Sequence, residues 1–269
     1  MSIILGSEHK YNKKSCKPLR YKRTFKLDKI LGQIKKTLEN LGITVARPII
    51  KNMPHCQTLW TRDSVINIDN QMIMLPLQSL KAQYGQLRGQ DEWKTIPANR
   101  REVFPDYPEN LEGGDVIQDQ DLILVGEGKR SNKKGMEKLK KMFPKKKIID
   151  IKHTALHLDC ALMILPGNQI LYSKKYIKKL PKYLTDNYKS KTVESIIGKD
   201  IDTLLATNVL IIGNNIITTD QAKFKKFRNY LRKLGYNVIE IKYGNLWREE
   251  GGIRCLTQWL EKPTAQLIS

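Results

Sequence analysis

The sequence predicts an α/β propeller: five ββαβ units set around a pseudo-fivefold axis, with the chemistry in a central pocket. Three observations predict it. A strand–turn–strand–helix–strand layout repeats along the chain, the two chain ends fit together as one further copy, and polar residues recur at a single register of the repeat.

Four segments carry the layout: SVINIDNQMIML (64–75), DVIQDQDLILVG (115–126), CALMILPGNQILYS (160–173) and NVLIIGNNIITT (208–219). In each, Asp, Asn, Gly or Pro separates two β-rich apolar runs, a hairpin signature because those residues supply the turn dihedrals. Behind the second hairpin, KRSNKKGMEKLKKMF brings Met136, Leu139 and Met142 round at three-residue steps, so it reads as an amphipathic helix, closed by the strand KIIDI. Behind the fourth, Phe224, Phe227, Tyr230 and Leu231 line one helical face, Gly235 suits the C-cap, and the strand NVIEI follows. The stretch KLDKILGQIKKTLENLGITVARP (26–48) reads as the tail of another unit, whose opening strands come from the C-terminal GGIRCLTQWL (251–260). With units of about 45–50 residues, five copies close a ring. An ordinary α/β sheet with coincidental hairpins is the alternative. The expected organisation is a basic N-terminal extension (1–20), a single domain (21–262) and a C-terminal tail (263–269).

Composition bounds the function. A chain of 269 residues with 40% hydrophobic and 28% charged residues buries a substantial core. It contains no apolar run of about 18 residues, so no membrane-spanning helix is expected. The apolar patch at the N-terminus is too short for a secretory leader. Cys16, Cys56, Cys160 and Cys255 are scattered, unlike a disulfide scaffold or paired zinc ligands, which points to a reducing, cytoplasmic setting. The net charge of +21 invites a nucleic-acid reading. The basic residues, however, are mostly Lys, spread through helices and turns without interleaved aromatics, whereas base readout favours Arg and single-strand binding favours stacking rings. A solvated Lys-rich surface is expected, with attraction for nucleic acid or an acidic protein as the alternative.

The polar residues that stand out fall at or just before the first hairpin strand of successive units: Trp60-Thr61-Arg62-Asp63, Leu111-Glu112-Gly113-Gly114-Asp115, His157-Leu158-Asp159 and Gly251-Gly252-Ile253-Arg254-Cys255. Units arranged around an axis would bring these positions together. A Cys thiolate is a nucleophile that needs a proton carrier, His157 can serve as one, and a carboxylate such as Glu112 can orient its ring. The further acids Asp63, Asp115 and Asp159 would repel an anion but satisfy a planar cation. Guanidinium offers paired N–H donors that match carboxylate geometry. Taken singly, Cys160 or Cys255 reads as a small buried hydrophobe. The spacing His153, His157, Asp159 can also be read as metal ligands, but in a loop these residues share no face and no further ligand cluster is evident. The glycine pairs at 113–114 and 251–252 suggest turns and close backbone approach to a ligand.

Together, WTRD (60–63), LEGGDV (111–116), HLD (157–159) and GGIRCLT (251–257) resemble the guanidine-modifying, or pentein, superfamily, and with the repeat the resemblance covers nearly the whole chain. That superfamily includes arginine deiminase, dimethylarginine dimethylaminohydrolase, agmatine deiminase and the glycine amidinotransferases. The resemblance implies the pentein fold, with Cys255 as nucleophile, His157 as general acid/base and Glu112 as the acidic partner of that His. It also implies Asp63 and Asp159 as the pair that grips the guanidinium, and Asp115 as a further acid of the pocket. GEGKRSN (126–132) resembles a segment in which the Arg, here Arg130, meets the substrate carboxylate, favouring an amino-acid substrate over agmatine. The implied activity is hydrolysis of arginine or a methylated arginine to citrulline, with no cofactor and no metal. Transfer of the amidino group to an amine is the alternative, and a catalytically silent pentein that binds nucleic acid or an acidic protein is the alternative of another class. Trp60 replaces the usual Phe of the F-T-R-D motif, and Asp159 leans towards deiminases and amidinotransferases.

Overall fold

The computed structural model describes residues 1–6, 27–47, 59–75, 100–103 and 109–261. The chain forms five three-stranded sheets of one topology: an antiparallel pair, with a third strand laid parallel to the second member of that pair. β1 (Ser2–Leu5) has β2 (Thr44–Ala46) as its parallel neighbour. Next come β3 (Val65–Ile68), β4 (Gln71–Met74) and β5 (Arg100–Val103), then β6 (Val116–Asp119), β7 (Leu122–Glu127) and β8 (Lys147–Lys152). The fourth sheet holds β9 (Leu162–Leu165), β10 (Gln169–Tyr172) and β11 (Lys189–Thr192); the fifth holds β12 (Leu210–Ile212), β13 (Asn215–Thr219) and β14 (Asn237–Ile241). The last strand, β15 (Thr257–Glu261), returns to pair antiparallel with β1.

All four expected hairpins are present. Asp69 and Asn70, at φ 52° and 61°, make the first turn, where two successive residues take the left-handed region that a tight hairpin needs and that Asn and Asp tolerate. The expected helices are present too. Lys133–Met142 starts at Asn132, whose side chain accepts from Gly135 N at 2.9 Å, and it buries Met136 and Leu139. Lys225–Lys233 buries Phe227 and Leu231 and ends at Gly235, φ 92°. Leu27–Asn40 turns Ile30, Leu31, Ile34 and Leu38 inward, each contributing about 1.5–3 kcal/mol by burial. Among the described residues no helix is long and apolar enough to cross a membrane.

The N-terminus departs from expectation. Residues 2–5, expected within a basic extension, form the middle strand of the sheet shared by the two chain ends. That sheet's antiparallel pair is therefore drawn from both ends, rather than from residues 251–260 alone. The apolar run SIIL supplies the reason: Ile3 and Leu5 are fully buried. The remainder of the expected extension (7–20) and the tail 263–269 lie outside the described residues.

The apolar mass lies between neighbouring sheets rather than at one centre. One cluster joins the third, fourth and fifth sheets, another joins the shared-end sheet to the fifth, and a third joins the second and third. Polar side chains tie neighbouring sheets together along the first strands of their hairpins. Gln258 on β15 donates to the carbonyl of Val65 at β3. Gln118 Nε2 on β6 donates to Asn67 O on β3 at 2.6 Å. Between the fourth and fifth sheets the link is made by backbone in the entry turns, Leu205 N donating to Cys160 O at 3.1 Å.

Candidate active site

Each sheet is entered through a tight turn just before its first hairpin strand, and those turns carry the polar residues singled out in the sequence. Thr61–Ser64 precedes β3, Gly113–Asp115 precedes β6, Leu158–Cys160 precedes β9, and residues 253–256 precede β15. Because a turn breaks the strand ladder, its side chains can point along the inner ends of the sheets. The backbone joins two of these turns directly, Arg62 N donating to Cys255 O at 3.1 Å.

His157 is buried, with its Nε2–H against Glu112 Oε2 at 2.7 Å and its Nδ1 3.7 Å from Asp63 Oδ1. Burial acts most strongly on this imidazole and pulls its pKa down. The charge of Asp63, then the hydrogen bond to Glu112 and the charges of Asp115 and Glu112, overcome it and hold the ring well above its ordinary value. The ring thus lies between two carboxylates that favour its protonated form. Arg130 closes the other side of Glu112, Nη1 to Oε1 at 3.4 Å.

Cys255 is buried and held by a residue the sequence reading passed over. Asn208 Nδ2 donates to Cys255 Sγ at 3.1 Å, while its Oδ1 accepts from Arg254 N at 3.0 Å and Cys255 N at 3.3 Å. One amide thus fixes the turn and its sulfur. The repeat register could have found it, since Asn208 opens the segment NVLIIGNNIITT as Asp115 opens DVIQDQDLILVG and Cys160 opens CALMILPGNQILYS. Asn208→Ala should slow alkylation of Cys255 by iodoacetamide about 10-fold or more, through loss of the donor to sulfur and two stranded N–H groups. Asn208→Asp keeps the two acceptor contacts but sets a carboxylate beside the thiol. Its alkylation rate should rise only at higher pH than in the parent, which a pH series of labelling rates checks.

Asp159 is fully buried, and its Oδ2 lies 3.4 Å from Arg254 Nε. Burial pushes its pKa up, against the pull of Arg254, His157 and Arg62. Asp115 is fully buried as well. Its Oδ2 accepts from Ser131 Oγ at 2.6 Å, and its Oδ1 accepts from Leu158 N at 2.8 Å and faces His153 Nε2 at 3.0 Å. Ser131 Oγ also accepts from Glu112 N at 2.9 Å. Asp115 therefore clamps the turns that carry Glu112 and His157, where the sequence suggested a pocket acid. Ser131, which gave no chemical signal in the sequence, is part of that clamp.

Two triplets of side chains bring potential metal-ligand atoms within 4.8 Å of one another among the described residues: Asp63, Glu112 and His157, and Asp159, Cys160 and Cys255. Neither pairs His153 with His157, so the loop spacing noted in the sequence does not assemble a ligand set. The glycine pairs make close approaches, but to the protein itself. A Cβ on Gly113 would lie 1.9 Å from Arg62 O, on Gly114 2.6 Å from the His157 ring, on Gly251 2.2 Å from the Trp60 ring and on Gly252 2.5 Å from Asn208 Oδ1. These glycines let the entry turns nest against each other.

The arginine deiminase family model matches residues 35–205 and 202–262. An uncharacterized protein of Bacillus subtilis, YkgA, is 30% identical over 151 residues, covering 55% of this chain and 51% of that protein. The dimethylarginine dimethylaminohydrolase of Pseudomonas aeruginosa is 24% identical over 153 residues, covering 56% of each. The chain thus spans about half the length of these curated relatives. Inosamine-phosphate amidinotransferase of Streptomyces griseus superposes with a TM-score of 0.76 at 15% identity, over 98% of this chain and 94% of that one. This last likeness is one of fold.

Proposed function

From a chain that belongs to the arginine deiminase family, within the guanidine-modifying pentein superfamily, we infer a cysteine-dependent hydrolase acting on the guanidinium of arginine or a methylated arginine. The observation that carries this reading is His157 set between Glu112 and Asp63, together with Cys255 held on Asn208. Cys255, His157, Glu112 and Asp159 are buried and Asp63 is half-buried, so electrostatic interactions among them act at low dielectric. We read the five sheets as blades about a pseudo-fivefold axis, with the entry turns at its centre. The side-chain hydrogen bonds from β15 to β3 and from β6 to β3, and the backbone bond between the turns at Cys160 and Leu205, support this.

In the proposed reaction the Cys255 thiolate adds to the guanidinium carbon while Asp63 and Asp159 accept its N–H groups. His157 gives its proton to the departing amine, leaving a thiouronium on sulfur. The now neutral His157 takes a proton from water as the water oxygen attacks, and C–S cleavage releases citrulline and restores the thiolate. Asp159 faces Arg254, so a substrate guanidinium competes with one the protein already supplies. Asp115 acts as a positioning residue. No cofactor takes part, and the setting is a reducing cytoplasm.

Product analysis by mass spectrometry tests the reading, with arginine, dimethylarginine and agmatine each incubated with and without glycine or lysine. Citrulline with ammonia or dimethylamine establishes the hydrolase and names its substrate. Ornithine formed only with an acceptor moves the assignment to an amidinotransferase, and silence on all substrates overturns both. Arg130 is assigned to the substrate carboxylate. Arg130→Ala should then raise KM for arginine about 10–100-fold, the worth of one charge-assisted contact, and weaken agmatine far less, the loss of the Glu112 contact being common to both. Equal losses on both substrates remove it from that role.

A further inference from the structure

Cys160 is fully buried and takes no part in the chemistry above. Its sulfur nevertheless sits beside the nucleophile. Cys160 Sγ, Cys255 Sγ and a carboxylate oxygen of Asp159 lie within 4.8 Å of one another. Asn208 Nδ2 addresses both sulfurs, at 3.1 Å from Cys255 and 3.8 Å from Cys160, and Cys160 donates to Asp159 Oδ1 at 3.5 Å. Both thiols are free. Each belongs to a one-turn segment outside the strand ladders.

We propose that Cys160 is the resolving thiol of an oxidative modification site, closing a reversible Cys160–Cys255 disulfide when the pocket meets a peroxide. A disulfide needs about 2.05 Å between sulfurs, so closure requires at most about 2.8 Å of approach from the 4.8 Å bound. A change of one staggered χ1 well sweeps a Cys sulfur through about 3 Å, a distance comparable to that gap. The electrons balance in two steps. Cys255 thiolate attacks one peroxide oxygen and the O–O bond breaks, giving the sulfenic acid and hydroxide; sulfur is oxidised by two electrons and peroxide reduced by two. Cys160 sulfur then attacks Cys255 sulfur, the S–O bond breaks, and the hydroxyl leaves as water with the thiol proton.

The hydrogen bond to Cys255, followed by burial, holds the Cys160 thiol well above its usual pKa. The disulfide removes the nucleophile from use and shields it from irreversible sulfinic oxidation. The bond itself does not rest on the proposed hydrolase activity; only its effect on turnover does.

The test is disulfide mapping of the full chain. Reduced protein is exposed to a small excess of hydrogen peroxide, denatured in N-ethylmaleimide, digested and analysed without reductant. The expected product is a linked peptide pair containing Cys160 and Cys255, 2 Da lighter than its parts and abolished by dithiothreitol. In Cys160→Ser, dimedone should label Cys255 instead, and longer exposure should carry it to the sulfinic acid beyond rescue by reductant. Cys160 recovered wholly as its maleimide adduct while Cys255 is oxidised overturns the proposal, as does pairing of Cys255 with Cys16 or Cys56. The mapping on the parent chain decides the matter even should Cys160→Ser fold poorly. A linked pair in protein that turned over no guanidine before oxidation would uphold the thiol pair and sink the hydrolase reading; turnover without the pair would do the reverse.

Discussion

Cys255→Ser is expected to lower turnover of the guanidine substrate by on the order of 10³-fold or more, with the fold retained. A hydroxyl replaces a thiol in a buried site at almost the same volume, and Asn208 can still donate to it, so the turn at 253–256 keeps its hydrogen bonds. What is lost is the nucleophile: a serine hydroxyl ionises far less readily than a thiol, and His157, already a cation, cannot take its proton. The measurement is single-turnover and steady-state kinetics beside far-ultraviolet circular dichroism and a thermal melt. Full activity with an unchanged melt would remove Cys255 from the mechanism.

His157→Asn should cost about 10²–10⁴-fold in kcat while leaving binding nearly intact, because proton transfer is lost but the guanidinium carboxylates stay. The pH profile adds a signature that damage to the structure would not produce. The imidazole pKa is raised, so the proton that serves the leaving amine is present at low and neutral pH and lost as pH rises through the raised value. Turnover should fall on that alkaline side. Asp63 is the strongest of the influences that raise the ring, so in Asp63→Asn the limb should move to lower pH. The same linkage acts on stability: the contribution of His157 is complete below the unfolded imidazole value and disappears as pH climbs through the folded one. A limb that stays in place in Asp63→Asn, or moves upward, would sever the ion pair from the catalytic proton.

The repeated architecture could be read from the chain because turns and stripes are local. Asp69-Asn70 and the other hairpin turns need only their own dihedrals, and the face of Phe224, Phe227 and Leu231 needs only helical spacing. The strand Ser2–Leu5 escaped because three apolar residues have no local sign of their destination; pairing between β2 and β15, from opposite ends of the chain, decides it. Asn208 escaped for a different reason. A neutral amide advertises no chemistry, and its importance comes from three contacts to residues about 46 positions away.

By itself the sequence determined the number and order of the units, the register at which polar residues enter each sheet, and the family motifs that nominate Cys255, His157, Glu112, Asp63, Asp159 and Arg130. Only the tertiary structure decided what those residues do to one another. Asp115 became a clamp because burial leaves its charge no other outlet than Ser131, Leu158 N and His153. The glycine pairs became seats for Arg62, His157, Trp60 and Asn208, since a Cβ would collide there. Cys160, indistinguishable in the sequence from a small core residue, became a neighbour of the nucleophile because the turns before β9 and β15 converge. Residue type and spacing are encoded locally, whereas charge, protonation and reactivity depend on which groups share a space that excludes water.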